Sequence, residues 1–158
     1  MIKLVASDLD GTLLHNYQQT VPKEIYDTIK ALHEKGIIFT AASGRQYANI
    51  RRLFAPLGFD IPYIAENGSM CVYKEEILAT GLTPSKTIRH ILDALMEYRK
   101  IYHTGHCILS VKDTYYSDST DERFIDYMEN DMHNIVTYVP DLYAIKEPII
   151  KAAICDFG

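Results

Sequence analysis

The apolar positions of the first 65 residues fall into two alternating registers. Residues 2–7, opening "IKLVA", are a nearly continuous apolar and β-prone run, the pattern of a parallel strand covered on both faces, and polar residues take over at Asp8. From Thr20 and Pro22, a cap and a first-turn residue, Ile25, Ile29 and Leu32 recur at helical spacing until Gly36, a natural helix stop. "IIFTAA" (37–42) reads as a second buried strand, breaking at "SGRQ" before a helical stretch over 46–57. "IPYIA" (61–65) reads as a third, short strand. The order β-α-β-α-β predicts right-handed crossovers in an open parallel sheet, whose ligands gather where the strands' carboxyl ends emerge. Those ends carry Asp8 with Asp10, then Ser43 with Gly44 and Arg45, then Asn67 with Gly68, so three loops are expected to converge on one site.

After residue 70 the rhythm changes. "CVY" and "EEILATG" predict a hairpin rather than another crossover unit, with a linker near 80–84. Thr83 and Pro84 open a helix whose Ile88, Ile91, Leu92 and Leu95 form one apolar face. Strand-like "HCILSVK", a helix near 120–131, strand "IVTYV" and strand "IIKAAIC" follow. This half reads as a second, α+β module, with "DSTDE" placing carboxylates in the first turn of its second helix.

Composition narrows the partners. Sixteen basic against 21 acidic residues give a net charge of −5 with no basic block, which argues against electrostatic capture of nucleic acid or anionic lipid. An anionic substrate has to be held by local groups. The longest apolar runs fall well short of the roughly 20 residues of a membrane span, and the N-terminus lacks a signal-peptide layout, so a cytoplasmic location is expected. Cys71, Cys107 and Cys155 are far apart and without a CxxC spacing, which suggests reduced thiols. In "HTGHC", His103, His106 and Cys107 point to alternating faces, and no fourth metal ligand is evident.

The stretch "SDLDGTLL" (7–14) carries the chemistry. A carboxylate held at the end of a buried strand can attack phosphorus, and a Gly-Thr turn after it offers backbone N–H groups to an anion. Alternation sends Asp10 to the same face as Asp8 and turns Leu9 toward the core. Two such carboxylates beside a phosphate repel it and each other, which calls for a divalent cation with oxygen ligands, Mg²⁺ above all.

The arrangement of an apolar strand, "DLDGTLL", a helix, and a second strand ending in a small hydroxyl residue resembles the haloacid dehalogenase superfamily of phosphohydrolases. By that resemblance Asp8 is the nucleophile that forms an aspartyl-phosphate, and Asp10 protonates the leaving group and then activates water. An Asp8 side-chain oxygen and the Asp10 main-chain carbonyl are the implied Mg²⁺ ligands, and Leu9, Gly11 and Thr12 belong to the phosphate loop. Ser43 occupies the place of the hydroxyl that holds the transferring phosphoryl group, with the Gly44 N–H beside it. "SGR" together with "AENGS" resembles the Cof-type subfamily and brings Arg45 and Asn67 near the phosphate or the substrate.

The resemblance implies an α/β chain: a partial Rossmann-like, three-layer α/β/α parallel-sheet core over 1–82 and an inserted α+β cap over 83–158. It implies a Mg²⁺-dependent phosphatase acting on small phosphorylated metabolites such as sugar phosphates. The family's later motifs, a Lys and an acidic pair in a Gly-Asp loop, are not found. Lys151 lies inside a cap strand by pattern, as an outward-facing residue, and Asp156 lacks the loop context. Without strands that follow the cap, "IKLVA" is expected to present an open edge suited to self-association. The readings left open are therefore a phosphatase, a non-catalytic phosphate-binding or self-associating fragment, and a phosphomutase using the same Asp pair.

Overall fold

The computed structural model describes residues 1–15 and 18–157, and the chain divides into two units, Met1–Gly81 and Leu82–Gly158. In the first unit β1 (Leu4–Asp8), β2 (Ile38–Ala42) and β3 (Tyr63–Ala65) pair in parallel in the order β1-β2-β3. They are linked by α1 (Lys23–Glu34) and α2 (Tyr47–Phe54), the latter running on into a 3₁₀ turn over Ala55–Leu57. The expected hairpin is β4 (Met70–Tyr73) and β5 (Glu76–Thr80), which extends the sheet antiparallel beyond β3.

The two helices lie together. The Tyr26 hydroxyl of α1 donates to the Leu53 carbonyl of α2 at 2.6 Å, and Phe54 meets Phe39 and Tyr63 ring to ring. Phe39 and Tyr63 thus mark the helix-covered side of the sheet. Alternation puts Ile38, Thr40 and Ala42 on the opposite side, with their registered partners Leu4, Ala6 and Asp8. There Leu4 is 54% exposed and Ile38 48% exposed. The expectation of a first strand covered on both faces is therefore corrected: among the described residues β1 has β2 as its one sheet neighbour, and α1 and α2 cover one face. Of the three layers expected, α1, α2 and the sheet supply two.

The second unit is α+β. α3 (Ser85–Tyr102) buries Ile88, Leu92 and Leu95 against Cys107 and Leu109 of β6 (His106–Ser110), and Ile91 is half-buried. The sheet runs in the order β8-β7-β6-β9, with β7 (Tyr115–Ser117), β8 (Val136–Tyr138) and β9 (Lys151–Cys155). β7 was not expected: at three residues, with serine in the buried register, it carries too little apolar signal to be read locally. Asp121 caps α4 (Glu122–Asp126) by accepting from the Arg123 and Phe124 N–H groups at 2.8 and 3.4 Å, as the acidic stretch suggested. The helix continues as a π-turn over Tyr127–Asp131. Among the described residues, no helix is long and apolar enough to cross a membrane.

Candidate active site

β1 and β2 end in register, Asp8 opposite Ala42, so Ser43 follows directly beside the first carboxylate. Leu9 is fully buried and anchors the turn between two exposed aspartates, as alternation requires. The Leu9 carbonyl accepts from the N–H groups of Thr12, Leu13 and Leu14, and the Gly11 N–H donates to the Leu14 carbonyl at 2.7 Å. This corrects one expectation: the Gly11 and Thr12 amides close the turn instead of facing an anion. Gly11 sits at φ 85°, in the left-handed region that the tight turn requires. The Thr12 side chain faces the site, its hydroxyl donating to Asp8 Oδ2 at 3.2 Å.

The second loop supplies a buried hydroxyl and a buried guanidinium. Ser43 Oγ accepts from the Arg45 N–H at 3.1 Å, which leaves its own O–H to donate outward. Arg45 is buried, yet it grips Asp10 with both forks, Nη2 to Oδ1 at 2.6 Å and Nε to Oδ2 at 3.0 Å. Its remaining N–H groups go to Gln19 Oε1 at 3.0 Å, Asn49 Oδ1 at 3.3 Å and the Gln18 carbonyl at 3.5 Å. Such a fork on carboxylate is a charge-assisted bidentate pair with a fixed orientation. Gln19 and Asn49 were not singled out from the sequence. Asn49, one helical turn after Arg45, was the available signal for an i, i+4 partner.

The third loop braces the second. Glu66 and Asn67 both have positive φ, 53° and 59°, which turns their N–H groups back onto the Arg45 and Ser43 carbonyls at 3.1 and 3.2 Å. The Asn67 side chain then lies against Gly44, where a Cβ would stand 2.4 Å from Asn67 Oδ1. Glycine at 44 is what lets the two loops meet. The structure thus brings Asp8, Asp10, Thr12, Ser43, Gly44, Arg45 and Asn67 to one end of the sheet. Within the second unit, Asp156 accepts from Thr104, and Lys151 is half-buried with its ammonium over the Tyr115 ring, rather than facing outward.

Metal chemistry has a limited donor set. Among the described residues no group of three or more His, Cys, Asp and Glu side chains is placed to hold a metal ion, and the "HTGHC" histidines do not form one. His106 instead stacks on Phe124 and bonds Ser119 through Nδ1 at 2.9 Å. At the strand end, Arg45 takes both Asp10 oxygens, leaving the Asp8 carboxylate and the Asp10 main-chain carbonyl. One carboxylate and a carbonyl suit Mg²⁺, which is commonly held by one or two carboxylates with water and substrate phosphate completing the shell.

The chain's similarities agree with this architecture. It is 39% identical over 77 residues to phosphoglycolate phosphatase 1 of Saccharolobus solfataricus, a match covering 48% of this chain and 34% of that protein. It is 27% identical over 95 residues to an Escherichia coli 5-amino-6-(5-phospho-D-ribitylamino)uracil phosphatase, covering 60% of this chain and 35% of that protein. A crystal structure from Eubacterium rectale superposes with a TM-score of 0.79 at 25% identity, over 97% of this chain and 57% of that one. The chain therefore spans little more than half the length of that solved relative. The profile of the haloacid dehalogenase-like hydrolases matches residues 5–157, nearly the whole chain, and the protein belongs to that family.

Proposed function

We propose that the N-terminal strand end is the phosphoryl-transfer half-site of a phosphatase acting on small phosphomonoesters. The observation that carries this reading is the convergence of Asp8, Ser43 and the Arg45–Asp10 pair on one end of a parallel sheet. The two curated relatives compared above are named for phosphoglycolate and a phosphorylated ribityl compound, which supports a small metabolite as substrate. An Asp8 oxygen would attack phosphorus as the P–O bond to the leaving alkoxide breaks, giving an aspartyl-phosphate. The Ser43 O–H would donate to a phosphoryl oxygen. Asp10 would pass a proton to the leaving oxygen, then recover one from the water that cleaves the acyl phosphate. Because Arg45 occupies both Asp10 oxygens in this state, one of the two contacts has to open so that Asp10 can take up a proton from solvent before it donates to the leaving oxygen. Bound through Asp8 and the Asp10 carbonyl, Mg²⁺ would offset phosphate charge and polarise a phosphoryl oxygen.

The test is Mg²⁺-dependent hydrolysis of phosphoglycolate, a panel of sugar phosphates and a chromogenic phosphate ester by the 158-residue chain. Asp8→Asn is expected to abolish turnover while leaving far-UV circular dichroism unchanged, and retained hydrolysis in the pure variant would overturn the assignment of the nucleophile. A second reading is a phosphate-binding, self-associating chain without turnover. It is favoured by one observation, the open edge of β1 with Met1, Ile2 and Leu4 exposed. A folded, phosphate-binding and dimeric sample without activity would decide for it.

A further inference from the structure

The second unit contains a cavity of about 480 Å³, formed entirely by its own residues and remote in sequence from the phosphate loops. Its floor is the unit's hydrophobic core: Ile88 and Leu92 of α3, Leu109 of β6, then Leu142 and Ile149. The volume lies within the roughly 300–1,000 Å³ of small-molecule sites, and an apolar floor with a few polar groups at the mouth is their usual composition. The mouth is held in shape by Thr83, whose N–H and hydroxyl bind the Ile149 and Ile150 carbonyls at 2.8 and 3.0 Å.

The charges at the mouth decide what would enter. Tyr143 donates to Asp93 at 2.7 Å, and Glu147, itself in the lining, accepts from the Tyr116 hydroxyl at 3.2 Å; a tyrosine hydroxyl orients each carboxylate without removing its charge. Arg89 and Lys146 line the same cavity, both exposed, and neither joins an ion pair among the described residues. The two lining cations exceed the one lining carboxylate, and with an apolar floor that balance complements a ligand with an apolar body and one negative head. We propose that this cavity binds a small amphiphilic monoanion, an aryl or medium-chain carboxylate, with its tail over Leu92 and Leu142 and its carboxylate between Arg89 and Lys146. The cavity's lining shares no residue with the strand-end site, so its failure would leave the phosphatase reading untouched.

The test uses the 158-residue chain, ¹⁵N-labelled, titrated with decanoate and in parallel with decanol, and followed by amide chemical shifts. Saturable shifts confined to 82–92 and 142–149 are expected, with decanoate binding about tenfold more tightly than decanol, the ratio that 1.4 kcal/mol of head-group attraction produces. Arg89→Glu with Lys146→Glu should remove that preference while decanol affinity stays the same. Shifts absent, shifts centred on β1, or equal affinity for acid and alcohol would each overturn the proposal. The acid–alcohol comparison on the unaltered chain stands even where the double variant fails to fold.

Discussion

At the scale of single residues, the site depends on side chains that hold other side chains. Asp10 is half in solvent, but its orientation is set from below by Arg45, and Arg45 in turn by Asn49 and Gln19. A bare Asp-x-Asp motif shows none of this, because Arg45 lies 35 residues away in the chain. The same is true of the packing at Gly44, which the resemblance singles out for its N–H and not for its contact with Asn67. Its contact with Asn67 predicts a measurable coupling. Gly44→Ala should displace the Asn67 amide toward solvent, since Asn67 is exposed and only its side chain obstructs the new methyl. The stability cost in urea unfolding should therefore stay below about 1 kcal/mol, the range of surface substitutions, and disappear in an Asn67→Gly background. A cost that persists in the double variant would show that the loop backbone, not the amide, gives way. Phosphate affinity should fall with the single change, because the displaced amide leaves the mouth of the site.

At the scale of elements, β1 leaves an edge and a face uncovered. Among the described residues one of its edges has no paired strand, and its helix-free face presents Leu4 beside Ile38. Open, flat, apolar edges recruit other strands. Sedimentation velocity is expected to show concentration-dependent association that Leu4→Lys reduces severalfold, since a charge on an edge strand opposes strand pairing. Association unchanged by Leu4→Lys would place the interface on another element. Hairpin β4–β5, α1, α2 and α3 were all legible from periodicity and turn residues, because each obeys a local 2.0 or 3.6 period. The coverage of β1 was not, because an apolar run records what a strand can bury and not which neighbours are there to bury it.

At the scale of the whole molecule, stability has a readable dependence on pH. Burial pushes the Tyr63 hydroxyl up to about 12, and Tyr26 and Tyr47 are also raised, chiefly by burial. A group whose proton is held more tightly in the folded chain stabilises it fully below the unfolded value, near 10, and loses that contribution as pH rises through the folded one. Burial likewise pushes the Cys107 thiol up to about 12 from an unfolded value near 9, so urea midpoints should be flat up to about pH 9 and fall between about 9 and 12, with Tyr63→Phe flattening the part of the decline above about 10. A Tyr63→Phe variant with the same alkaline slope would assign the loss elsewhere. The sequence by itself determined the β-α-β-α-β order, the Asp8, Asp10 and Ser43 motif positions and the change of rhythm after residue 70, because these are local patterns of period, turn chemistry and spacing. Only the tertiary structure decided that both helices share one face, that the Gly11 and Thr12 amides are consumed by their own turn, and that Arg45 clamps Asp10. Each of those depends on which distant groups compete for the same hydrogen bonds and the same apolar surface, and that competition is settled only when the chain is folded.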